Sequence, residues 1–139
     1  MVGVTYQIKA EHTNTAVVGQ RLDQMRAGLK PGRFGYVVVG STGINDCRET
    51  TTEIITRWHH LVAALRVRYP RAKIVSFGIP PNTGVIPIDR RAVNSAVASS
   101  VDCFVPTDDI VEVAPDGYHM TTRGSALILE GIRTCGVPL

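Results

Sequence analysis

Short apolar runs alternating with amphipathic stretches constrain this chain more than any other feature. Tyr36–Val39 reads Tyr-Val-Val-Val without a polar break, as a strand buried on both faces does. Lys73–Phe77 reads as another buried strand, and residues 102–105 as a further strand. Between the first two, Thr50 and Glu53 form a capping box. The helix it opens carries Ile54, Trp58, Leu61, Val62 and Leu65 on one face and stops at Tyr69-Pro70. Residues 89–99 and 121–133 read as two more helices, the last with Leu127, Ile128 and Ile132 turned inward. Upstream, residues 4–8 read as a short strand. Thr13 or Thr15 would cap a helix bearing Val18, Leu22, Met25 and Leu29, which Pro31-Gly32 ends. Strands and helices in this rhythm predict an α/β domain with a parallel sheet covered on both sides.

At 139 residues, the chain is expected to form one domain, 1–139, with a core of ordinary size. A hydrophobic content of 44% with 19% charged residues is globular composition, and no apolar run approaches the ~20 residues of a membrane span. The start Met1-Val2-Gly3-Val4-Thr5 has no secretion-signal character, so the chain as it stands is expected in the cytoplasm. Cys47, Cys103 and Cys135 cannot all pair within one molecule and lack metal-ligand spacing, so reduced, partly buried thiols are expected. The net charge of +3 is mildly basic, with Arg66, Arg68, Arg71 and Lys73 clustered and Arg90 beside Arg91. These read as solvated helix ends. Nucleic acid is not an expected partner, because no aromatic residues interleave with the charges.

In a parallel sheet, ligands sit beyond the carboxyl ends of the strands. Residues 40–46, 78–82 and 116–119 fall there or just before the last helix. The run Asp116-Gly117-Tyr118-His119 places a carboxylate three residues from an imidazole. A carboxylate on the donating ring nitrogen fixes the tautomer and stabilises the imidazolium formed when the other nitrogen takes a proton. A surface turn ahead of the helix is the alternative. Asn45 follows a strand end, where its amide can donate to a developing oxyanion. An Asx-turn is the alternative there.

Together these segments resemble the SGNH (GDSL-like) hydrolase superfamily. Gly43-Ile44-Asn45-Asp46 is similar to its Gly-x-Asn-Asp block, and Asp116-Gly117-Tyr118-His119 to its terminal Asp-x-x-His block. The helix from Thr50, the turn Gly78-Ile79-Pro80-Pro81 and the helix with Val93-Asn94 follow the family's order over roughly residues 4–133. The resemblance implies a three-layer α/β/α sandwich with a flavodoxin-like sheet and ester hydrolysis through an acyl-enzyme. His119 would be the base, Asp116 its orienting acid and Asn45 an oxyanion donor. It implies a small ester, or an acetylated carbohydrate or lipid, as substrate, and no cofactor or metal. The chain departs from the pattern in two places. No Ser precedes Ser41, whereas the family's nucleophile closes a Gly-Asp-Ser block on its first strand. Where a second block supplies an oxyanion-hole Gly, this chain has Glu11-His12-Thr13.

Ser41, four residues before Asn45, is the remaining nucleophile candidate. Thr5 and Cys47 are weaker ones. His12 lies near the expected mouth of the site, whereas His59 and His60 are adjacent on a helix and point apart. Three functions stay open. One is an esterase or acetylesterase whose nucleophile lies outside this chain, leaving it weak or inactive alone. The second is a non-catalytic SGNH-like binding module. The third is metal-dependent phosphoester chemistry through Asp46, Asp116 and His119. A missing first strand would leave a sheet edge for a second copy or a complementing chain to cover.

Overall fold

A computed structural model describes residues 13, 16–17, 20–40, 44–81, 87–111, 114–116 and 119–139. In chain order these contain α1 (Leu22–Ala27), β1 (Tyr36–Val39), α2 (Thr51–Arg68), β2 (Lys73–Phe77), α3 (Arg90–Ser100), β3 (Cys103–Val105) and α4 (Thr122–Thr134). Each long helix starts where local chemistry dictates. Thr50 accepts from Glu53 N–H at the head of α2, and Glu53 reaches back to Thr50 N–H. Asp89 caps α3 through Ala92 N–H, and Thr121 caps α4 through Gly124 N–H. Among the described residues, no helix is long and apolar enough to cross a membrane.

The three strands are parallel in the order β1-β2-β3, with Val38 opposite Val75 and Val75 opposite Cys103. Strand side chains alternate between two cores. Val37, Val39, Ile74 and Phe104 pack with α1, α2 and α3 around Trp58, Leu61, Leu65, Val93 and Val97. Val38, Val75, Phe77 and Val105 face the other way, onto Ile128, Leu129 and Ile132 of α4. Helices thus cover both faces, giving the expected three-layer α/β/α sandwich.

Several expectations are corrected. The helix that carries Leu22 and Met25 begins at Leu22 with Arg21 as its N-cap, since residues 20 and 21 are not helical; Thr15 and Val18 lie outside the described residues. The Leu22 N–H is satisfied instead by the distant Asp46 carboxylate at 3.1 Å, so a long-range contact fixes this start. Leu127 is 44% exposed. The stripe of α4 that meets the sheet runs through Ser125, Ile128, Leu129 and Ile132, and Leu127 lies off it. β1 is only half-buried, with Tyr36 exposed, because it has one strand neighbour among the described residues. Cys103 and Cys135 are not reduced thiols but a disulfide. Packing of α4 on β2 and β3 brings their Cα atoms to 5.9 Å, although 32 positions separate them. Cys47 alone stays free. The strand expected at residues 4–8 lies outside the described residues.

Candidate functional site

Because the strands are parallel, the loops after β1, β2 and β3 all leave one edge of the sheet. The segment after β3 carries the acid and the imidazole. Asp116 holds His119 with both carboxylate oxygens. Oδ1 accepts the His119 backbone N–H at 3.0 Å, and Oδ2 lies 2.5 Å from Nδ1. An ionised carboxylate only accepts, so the Nδ1 proton faces it and the Nε2 lone pair is left outward. The Ala114 N–H donates to His119 O at 2.6 Å, closing the loop at its base, and the Thr121 cap follows two residues later. The imidazole side chain is 81% exposed. This pair can take a proton at Nε2 while its other nitrogen is held in a defined tautomer.

The segment after β1 is clamped rather than free. Asn45 Nδ2 donates to Gln20 O at 2.9 Å, so one amide proton ties this loop to the approach of α1. Its neighbour Asp46 is buried. Asp46 Oδ2 accepts Leu22 N–H, and Oδ1 accepts from Arg57 Nη1 at 3.2 Å. Arg57 also pairs with Glu49 at 3.2 Å. Asp46 is thus a structural anchor in an ion pair, and its oxygens are committed. This speaks against Asp46 as a metal ligand beside Asp116 and His119. β2 lies between β1 and β3, so the two loops leave strands about 10 Å apart, two strand spacings.

Between them sits the turn after β2, and Asn94 fixes it. Asn94 Oδ1 accepts Ile79 N–H at 2.8 Å, and its Nδ2 donates to Ile79 O at 3.0 Å. Arg90 Nη1 adds a bond to Ile79 O at 3.0 Å and pairs with Asp108 at 2.8 Å. The fit is tight at Gly78. A Cβ there would lie 2.6 Å from Thr107 Oγ1 and 2.9 Å from Asn94 Nδ2. In the sequence, Asn94 stands out only through its place in the family's order of segments. The signal for its role is a polar residue on the buried stripe Val93, Asn94 and Val97.

The remaining candidates divide clearly. Ser41, Gly43, Thr5, His12, Gly117 and Tyr118 lie outside the described residues. Cys47 is half-buried on the Asn45 loop. His59 and His60 are both exposed on α2.

No family model and no curated protein matches this chain. Among solved structures, the chain is similar to a carbohydrate esterase family 3 protein from Talaromyces cellulolyticus, with a TM-score of 0.59 and 19% identity. The match covers 84% of this chain and 66% of the esterase chain. This chain therefore has an SGNH-like α/β/α fold, and at this identity the likeness reaches the architecture alone.

Proposed function

We propose that this chain is an SGNH-like ester hydrolase domain acting on a small ester or an acetylated carbohydrate. His119 Nε2 is the general base, and Asp116 orients and stabilises it. The two-oxygen hold of Asp116 on His119 carries this reading, because a merely capping Asp has no need of the ring nitrogen. The likeness in fold to a carbohydrate esterase supports the substrate class. Asn45 is the oxyanion donor in this reading, through the amide proton not given to Gln20. The nucleophilic hydroxyl comes from Ser41 or from a segment or chain that complements this one. The Cys103–Cys135 disulfide supports work in an oxidising compartment rather than the cytoplasm.

The test is acetate release from p-nitrophenyl acetate and from an acetylated oligosaccharide, with fluorophosphonate labelling to locate the nucleophile. His119→Ala is expected to lower turnover by about 10²–10⁴-fold, the usual worth of a general base. Wild-type turnover in that variant would sink the reading. A non-catalytic binding module is the second reading, favoured by the bond from Asn45 to Gln20, which gives that loop a structural task without any chemistry. It predicts no turnover in either form and ligand binding unchanged by His119→Ala.

A further inference from the structure

The amino edge of the sheet, opposite the loops of Asn45 and His119, gathers positive charge. The turns leading into β1, β2 and β3 meet there and are interlocked. Tyr69 Oη donates to Lys30 O, Lys73 N–H donates to Gly35 O at 2.9 Å, and the Phe34 ring sits edge-on to Tyr69 with centroids 5.3 Å apart. Arg66 pairs with Asp102 at 2.7 Å, and Lys73 Nζ donates to Cys135 O at 2.7 Å. These contacts hold Lys30, Arg33, Arg66, Arg68, Arg71 and Lys73 around one end of the molecule. Asp102 is already taken by Arg66, and Glu130, near the end of α4, by Arg133. Lys30, Arg33, Arg68 and Arg71 are exposed and have no ion pair among the described residues. The carboxylates gather at the other edge, where Asp46, Glu49, Asp108 and Asp116 follow strands and Glu53 and Asp89 open helices. Helix dipoles favour part of this separation. They do not account for Lys30, Arg33 and Arg71, which lie in turns beyond the helix ends.

We propose that this pole is a docking surface for an acidic polysaccharide of the polyuronate class, which anchors the protein with its opposite edge turned outward. Charge complementarity carries the inference. Two observations favour a polysaccharide over nucleic acid. Phe34 is packed on Tyr69, Tyr69 is buried, and Tyr36 is 38% exposed, so among the described residues there is no row of open rings for stacked bases. The disulfide at the same end belongs to an oxidising setting, where acidic polysaccharides are abundant polyanions. The proposal stands apart from the esterase reading, since its readout is binding alone.

The experiment titrates the oxidised full chain into fluorescein-labelled polygalacturonate, read by anisotropy from about 20 to about 200 mM salt. Binding is expected at the lowest salt and falls steeply as salt rises. Arg68→Glu with Arg71→Glu weakens it about tenfold or more, as loss of polyanion contacts requires. Arg48→Glu with Arg91→Glu makes the same charge change at the other edge and weakens it about twofold or less. Urea midpoints establish that each variant is folded, and Lys30→Glu with Arg33→Glu replaces the first pair if it is not. Equal losses in both pairs, no binding at the lowest salt, or tighter binding to a DNA duplex would each overturn the proposal.

Discussion

His119 and Asn94 show two ways in which one polar side chain organises a loop. Asp116 spends one oxygen on the backbone and one on the ring of His119, so the geometry of the turn and the tautomer are set together. Asp116→Asn presents an amide that competes for the other tautomer. In the esterase reading, ester turnover is expected to fall by roughly two orders of magnitude or more while the urea midpoint changes little, because the site is exposed. Asn94 is the opposite case, a buried amide pairing with both backbone groups of Ile79. Asn94→Ala strips the Ile79 N–H of its partner and leaves the Ile79 C=O with Arg90 alone. A loss of about 2–3 kcal/mol is expected in denaturant unfolding, and a loss below 1 kcal/mol would mean that water takes over the Ile79 N–H. Both residues stand in the sequence as polar side chains beside turns. Only the position of Asp116 three residues before His119 announces a pairing. The partner of Asn94 lies 15 residues away, beyond any local pattern.

Among the elements, α4 separates local preference from packing. Gly131 lies beside the buried Ile132 in a helix that packs on the sheet, and by propensity alone Gly131→Ala would stabilise it by about 1 kcal/mol. A Cβ there would run into the Val105 side chain, which is buried and cannot yield freely. Overpacking of this kind costs about 1–3 kcal/mol, so net destabilisation is expected in thermal or urea unfolding. An increase in stability would show that β3 can move aside. The boundaries of α2, β1 and β2 were legible because a capping box, a proline and short, mainly apolar runs are local signals. The start of α1 was not, because its first N–H is satisfied from Asp46, 24 residues on. Leu127 is exposed, against its place in the apolar period, for a similar reason. Helical periodicity gives a face, and only contact with the sheet shows where that face is centred.

For the whole molecule, two long-range links tie the helical layers to the sheet near its amino edge. The Cys103–Cys135 disulfide closes a loop spanning 32 positions between β3 and the end of α4. Constraining the unfolded chain over such a loop is worth about 3–4 kcal/mol. Replacing both residues with Ser is expected to lower unfolding free energy by about that amount, and reduction of the wild type should match it. A second link joins Arg66 on α2 to Asp102 ahead of β3. The Arg66 guanidinium and the Ile74 N–H hold the Asp102 carboxyl below its usual range, against the opposing effect of partial burial. A depressed folded value means the contribution is complete above the unfolded pKa of about 3.9 and is lost as pH falls through the lower folded value. The stability gap between wild type and Asp102→Asn is therefore expected to be full at neutral pH and to close below about pH 4. A gap that persists at the acid end would assign the effect to packing.

The α/β rhythm, the parallel sheet with helices on both faces and the two loop segments worth inspecting are properties of the sequence by itself. They rest on period, caps and breakers, which act over a few residues. Tertiary structure decided what the polar groups do once those segments are in place. It committed Asn45 to Gln20, buried Asp46 against Arg57, joined Cys103 to Cys135 and brought Lys30, Arg33, Arg68 and Arg71 to the edge away from His119. Each of these pairings joins residues far apart in the chain or on different elements. Their energies depend on distance and burial, which a linear order of residues does not contain.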